Sequence, residues 1–154
     1  MSTQTVASKQ PVPAGGFAAR LASVYATPAV YWLALLGLCA AYLQGGLQKA
    51  LDFSAATAET AHFGLSPAAP ITLATIVLEL GASLSILLGI KRWLGALLLA
   101  VFTLAATFLA NRFWTMAMPE RFGVENGFFE HLGLVGGFML VAWRDLRRRI
   151  NEAR

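Results

Sequence analysis

The chain has 154 residues, of which 57% are hydrophobic and only 13% charged, with a mean hydropathy of +0.62. That charged fraction is about half of what a water-soluble globular domain carries, and the length leaves room for a single domain. The formal charge of +4 does not point to nucleic acid, which would need basic residues on one folded face beside base-stacking aromatics.

Residues 1–28 are rich in Ser, Thr, Pro, Ala and Gly, with Lys9 and Arg20 as their only charges. They read as a flexible cytoplasmic tail whose apolar stretches are too short for a signal-peptide core. From 29 to 146 the pattern is that of a transmembrane domain. Val30–Gln48, Pro70–Ile90 and Trp93–Asn111 each approach or pass the length that crosses a bilayer as helix, and Glu79 is the only charge inside them. Gly127–Trp143 is a weaker fourth candidate, because Glu130 and His131 stand in its first turn. Helices are therefore predicted at about 30–50, 70–90, 93–113 and 128–146. A short helix at about 54–62, which Ser54 can cap, lies outside the bilayer at its surface. Residues 147–154 form a basic cytoplasmic tail. The expected fold class is all-α: a four-helix transmembrane bundle with a short extracytoplasmic interfacial helix.

Loop lengths and charges order these elements. The Lys91–Arg92 loop is so short that the second and third spans must form an antiparallel hairpin. The loop at 113–126, with Pro119 and Gly123, is expected to run along the surface. Nine of the twelve Lys and Arg lie in the N-terminal arm, the Lys91–Arg92 loop and the C-terminal tail. The positive-inside rule then puts both termini in the cytoplasm and both longer loops outside.

Spacings of three and four residues place side chains on one helix face. The first span then aligns Gly37, Ala40, Ala41, Gln44 and Gln48, and turns Cys39 away. The second aligns Thr72, Thr75, Glu79 and Ser83. The third aligns Ala96, Ala100, Thr103, Thr107 and Asn111, with Leu97, Leu98, Val101, Leu104 and Phe108 facing lipid. With Glu130 and His131 these polar residues outline a pocket opening outward, and Glu79 sits at its floor about 14 Å deep at 1.5 Å per residue. The candidate site is thus Glu79, Gln44, Gln48, Thr103, Thr107, Asn111, Glu130 and His131, with no catalytic or metal-binding set. Thr and Gln inside bundles commonly only bind helix to helix, but a mid-membrane carboxylate is costly unless it is neutralised, paired or wetted. No Lys or Arg stands at the depth of Glu79 by residue count, so protonation or hydrogen bonding is expected in preference to a salt bridge. Cys39 reads as inert packing. Gly133, Gly136, Gly137 and the Gly37–Ala41 pair mark close helix contacts.

Several segments together resemble the DoxX family of small four-helix membrane proteins. They are Gly46-Leu47-Gln48-Lys49, Val77-Leu78-Glu79-Leu80-Gly81, Leu88-Gly89-Ile90-Lys91-Arg92, Ala106-Thr107, Asn111-Arg112-Phe113-Trp114 and Leu132-Gly133-Leu134-Val135-Gly136-Gly137. The resemblance covers about residues 30–145. It departs at Asn111, where many relatives carry histidine, and near Glu130–His131, where lysine is common. It implies a multi-pass protein of the bacterial inner membrane, an accessory or quinone-proximal subunit of a membrane redox system without independent catalytic activity. Quinone is then the expected non-covalent cofactor, and the lipid bilayer, other redox subunits or a second copy the expected partners. Two other classes compete: a small proton-coupled transporter or channel working through Glu79, and a structural or assembly protein without chemistry.

Overall fold

The structure is a computed structural model, and it describes residues 16–154. Six α-helices follow in order: α1 (Phe17–Tyr25), α2 (Pro28–Leu51), α3 (Phe53–His62), α4 (Ala68–Leu88), α5 (Arg92–Ala110) and α6 (Glu120–Glu152). A single 3-10 turn at Phe113–Thr115 precedes α6. The chain divides into two compact units. The first ends at Leu33 and holds α1 and the first turns of α2; Ala34–Arg154 forms the second and holds the rest of α2, α3 to α6 and the candidate site. Of the segment read as a tail, residues 1–15 lie outside the described residues, and Phe17–Tyr25 is helical.

The expectation of four spans is corrected. Among the described residues, three helical stretches are long and apolar enough to cross a membrane: Pro28–Leu51, Ala68–Leu88 and Arg92–Thr115. The fourth candidate belongs to the 33-residue α6, which starts in the segment expected to be loop and carries charge at both ends. Its uncharged run, Leu132–Trp143, falls short of the ~20 apolar residues that a bilayer crossing needs. The inference that both termini share one side rested on four crossings, and three do not carry it. α6 nevertheless runs antiparallel along α5. Phe128 packs edge-on against Phe108 at 5.3 Å at one end, and Asp145 Oδ2 accepts the Trp93 N–H at 3.3 Å at the other.

Local sequence explains the joints. Asp52, rather than Ser54, caps α3, its carboxylate accepting the Ala55 N–H at 3.0 Å, which satisfies one of the donors a helix start leaves open. α4 ends at Gly89, whose φ of 77° lies in the left-handed region that glycine adopts without strain. The hairpin closes at once, with the Arg92 Nε–H donating to Ile86 O at 2.7 Å. α4 and α5 approach so closely at Gly95 that a Cβ there would stand 2.8 Å from Ala82 O. On α5, Ala96, Leu99, Ala100, Thr103 and Thr107 are buried, while Leu97, Leu98, Val101, Leu104 and Phe108 are exposed, the division that the three-four spacing predicts. A protein that exposes this much contiguous leucine and phenylalanine has lipid, not water, around it.

Candidate functional site

The site begins with a correction to α2. The face read as interior is largely exterior: Ala40, Gln44 and Gln48 are exposed, nothing lies within 4 Å of where a Cβ on Gly37 would stand, and only Ala41 of this set borders the cavity described below. The buried face is Leu35, Cys39, Tyr42 and Gly46, a four-three-four spacing set two residues back and so on nearly the opposite side of the helix, at about 100° per residue. On α4, Thr72, Glu79 and Ser83 are buried and Thr75 is half-buried.

Glu79 is 5% exposed, and it has a partner that residue counting did not provide. Lys49 Nζ lies 3.1 Å from both carboxylate oxygens. Counting residues gives the depth of a Cα, whereas the lysine's four-carbon stem carries its ammonium well away from its own level. Two glycines make the approach possible. A Cβ on Gly45 would stand 3.3 Å from the Lys49 ammonium and 3.8 Å from Glu79 Oε2. One on Gly46 would meet the Leu80 side chain at 2.9 Å. Gly45 sits four residues before Lys49, one turn below it on the same face, so α2 is pared away where the ion pair forms.

Two further groups adjoin the pair. Thr103 donates its only proton to Leu99 O at 2.6 Å, so in the 2.5 Å contact between Tyr42 and Thr103 the phenol is the donor. The Tyr42 ring is held edge-on by Phe138 at 5.3 Å. Across the site, the Asn111 amide nitrogen stands 2.8 Å from His131 Nδ1 and Thr107 Oγ1 3.1 Å from it. An amide N–H can only donate, so Nδ1 accepts and the ring proton resides on Nε2.

These groups border a cavity of about 380 Å³, whose polar lining includes Tyr42, Lys49, Glu59, Glu79, Thr103 and His131, among apolar walls such as Phe63, Phe102, Leu109 and Leu134. Glu59 and Thr60 come from α3, which lies over this side of the site; Thr60 Oγ1 and Thr72 Oγ1 are 2.8 Å apart and tie α3 to α4. Of the residues picked out by sequence, Glu79, Thr103 and His131 line the cavity, and Thr107 and Asn111 back the histidine. Gln48 borders a neighbouring depression with Lys49 and Glu59. Gln44 is exposed, and the exposed Glu130 accepts from Asn126 at 2.7 Å. Sequence reasoning missed Tyr42, Lys49 and Glu59. The Gly45–Gly46 pair one turn before a lysine was the available signal for Lys49.

A fold of apolar helices with one charged pair inside and a half-polar cavity beside it can be set against known families. The family model for DoxX matches residues 31–112, more than half of the chain. The chain belongs to the DoxX family. The match takes in nearly all of α2 and the whole of α3, α4 and α5, hence Tyr42, Lys49, Glu59, Glu79 and Thr103. It stops before α6 and His131, short of the stretch over which the motifs were read. No curated protein and no solved structure was found to match the chain. This DoxX-family chain is therefore a multi-pass membrane protein, with lipid on the outer faces of its spanning helices. Among the described residues no three of His, Cys, Asp and Glu are grouped to hold a metal ion.

Proposed function

We propose that this DoxX protein binds a membrane quinone in the cavity beside Lys49 and Glu79, as an accessory or quinone-proximal subunit of a membrane redox system. The carrying observation is the composition of that cavity. It is mostly apolar, of a size within the ~300–1,000 Å³ range of small-molecule sites, and bordered by two donors suited to carbonyl oxygens. One is the Lys49 ammonium and the other the Nε2–H of His131, whose tautomer Asn111 fixes. Phe63, Phe102, Leu109 and Leu134 suit the ring and the start of an isoprenoid tail. A bound quinone supplies a carrier of two electrons and two protons. The chain's share is to orient the ring and hold protons near it, at Lys49 Nζ and the Tyr42 hydroxyl, with the Glu79 carboxylate positioning the ammonium. In this reading the partners are the lipid bilayer and other subunits of that system, and the protein sits in the bacterial inner membrane with its Lys91–Arg92 turn towards the cytoplasm.

The test is photolabelling of the reconstituted protein with an azidoquinone, followed by mapping of the adducts. Labels on Tyr42, Phe63 or Phe102, competed by unlabelled short-chain ubiquinone and weakened in Lys49→Met, are expected. Labels only on lipid-facing Leu97, Val101 and Leu104, or no competition, would overturn the reading.

A further inference from the structure

The quinone reading leaves the opposite end of the molecule unused, and that end is chemically distinctive. The hairpin turn and the last three turns of α6 meet there, joined by the Asp145–Trp93 hydrogen bond. Leu88–Trp93 and Trp143–Arg154 together hold seven Lys and Arg against two carboxylates. Both carboxylates are engaged: Asp145 by the Trp93 N–H and by Arg149 Nε at 3.0 Å, Glu152 by Arg148 Nε at 2.6 Å. Between them is a depression of about 310 Å³ lined by Gly89, Arg92, Asp145, Arg148, Arg149 and Glu152. Gly89 is the position where a side chain would intrude on the Arg92 guanidinium, since a Cβ would stand 3.1 Å from its Nη2. Exposed apolar residues adjoin the cations in sequence: Leu88 and Ile90 on either side of Gly89, Ile150 after Arg149. The Arg147 guanidinium lies 5.0 Å over the exposed Trp143 ring, an arrangement that belongs at headgroup level.

We infer that this depression is a binding site for the phosphate of an anionic phospholipid. Three guanidiniums around a concave, net positive site give the forked donors that phosphate oxygens accept. The level fits, because the depression lies where the apolar stretch of α4 ends at Leu88 and that of α5 begins at Arg92. The adjoining Leu88, Ile90, Trp143 and Ile150 select the occupant. A free phosphate ion gains nothing from them, whereas a phospholipid brings acyl chains to cover them. Charge alone would attract anionic lipid to the whole end diffusely. The depression adds a fixed place, and its arginines should outweigh those outside it.

The experiment uses full-length protein carrying Trp32→Phe and Trp114→Phe, so that fluorescence reports Trp93 and Trp143. It is reconstituted in phosphatidylcholine vesicles containing a minor fraction of brominated phosphatidylglycerol, or the same fraction of brominated phosphatidylcholine. The phosphatidylglycerol is expected to quench more strongly, with a preference that falls about fivefold on losing one site cation in Arg148→Gln or Arg149→Gln. Arg92→Lys, which keeps the charge but loses the fork, should also lose part of the preference. Arg154→Gln, outside the depression, should keep nearly all of it. Equal quenching by the two lipids would overturn the site. So would an equal loss in Arg154→Gln and Arg148→Gln, which would leave only diffuse attraction, or displacement of the lipid by inorganic phosphate at matched ionic strength, which would make the ligand the free ion.

Discussion

The two ends of this molecule use the same charged residue types to opposite effect. At the cavity end, Lys49 and Glu79 pair across thirty positions of sequence with side chains 27% and 7% exposed. At the hairpin end, Arg148–Glu152 pairs along one helix turn with side chains 72% and 59% exposed. A buried pair must recover a desolvation penalty of several kcal/mol per ion, so breaking it by removing one partner costs far more than its net worth. An exposed i,i+4 pair is solvated with or without its partner and contributes only tenths. Charge at the cavity end is thus part of the architecture; at the hairpin end Asp145, 12% exposed and bonded to the turn, shares that role, whereas the Arg148–Glu152 pair stands in water.

The largest effect should follow from breaking the cavity pair. Lys49→Met leaves the Glu79 carboxylate buried and alone, and thermal unfolding in detergent should show a loss of about 3 kcal/mol. Glu79→Gln should cost less, because the ammonium left behind is the more exposed partner and can turn to water. The double variant Lys49→Met/Glu79→Gln should recover much of the loss of Lys49→Met alone. Additive losses in that cycle would mean the two groups do not stabilise one another.

Next comes the neutral pair beside it. Thr103→Val takes away the acceptor of the Tyr42 hydroxyl in a buried setting, which should cost about 2 kcal/mol. Tyr42→Phe added to it should remove most of that loss, since no donor then remains unsatisfied. If Tyr42→Phe in the Thr103→Val background makes matters worse, the phenol has another partner and the donor assignment is wrong.

Packing gives a third contrast. Gly95→Ala drives a Cβ to within 2.8 Å of the Ala82 carbonyl oxygen, a backbone atom that cannot turn aside, so a loss of roughly 1–2 kcal/mol is expected. Gly81→Ala meets nothing within 4 Å and should be neutral or mildly stabilising, as alanine is the better helix former. Equal melting temperatures for the two variants would show that α4 and α5 are not in contact at Gly95.

These contrasts also show which parts of the molecule were legible in sequence. The α4–α5 hairpin was, because two long apolar runs joined by Lys91–Arg92 allow one arrangement, and small-polar against large-apolar residues mark the faces of α5. α2 was misread because Gln44 and Gln48 made one face polar. Both lie within about 11 Å of the helix end at 1.5 Å per residue, where polar side chains reach water and need no interior. The true interior carries Tyr42, whose hydroxyl is satisfied by Thr103, sixty-one positions away, a partner no local period can reveal. Lys49 escaped notice for a related reason, since residue counting fixes the level of its Cα and not of its ammonium. The fourth span failed on length: Gly127–Trp143 reached it only by including Glu130 and His131, and these belong to a helix that begins at Glu120 and continues to Glu152.

The smallest expected effect is the most direct check on the contrast between the ends. Glu152→Gln removes the carboxylate that Arg148 Nε touches at 2.6 Å, a shorter contact than either hydrogen bond of the cavity pair. If distance set the energy, this variant would be the more damaging one. The physical argument says otherwise, because both partners are already largely in water, and the change should stay within about 0.5 kcal/mol in the same unfolding measurement. Raising the salt concentration should narrow even that difference, while leaving the Lys49→Met loss nearly intact, since ions screen exposed charges far better than buried ones. A loss above about 1 kcal/mol for Glu152→Gln would show that the end of α6 is held by its charges rather than by its packing along α5. The basic end would then be a structural clasp of the same kind as the cavity pair.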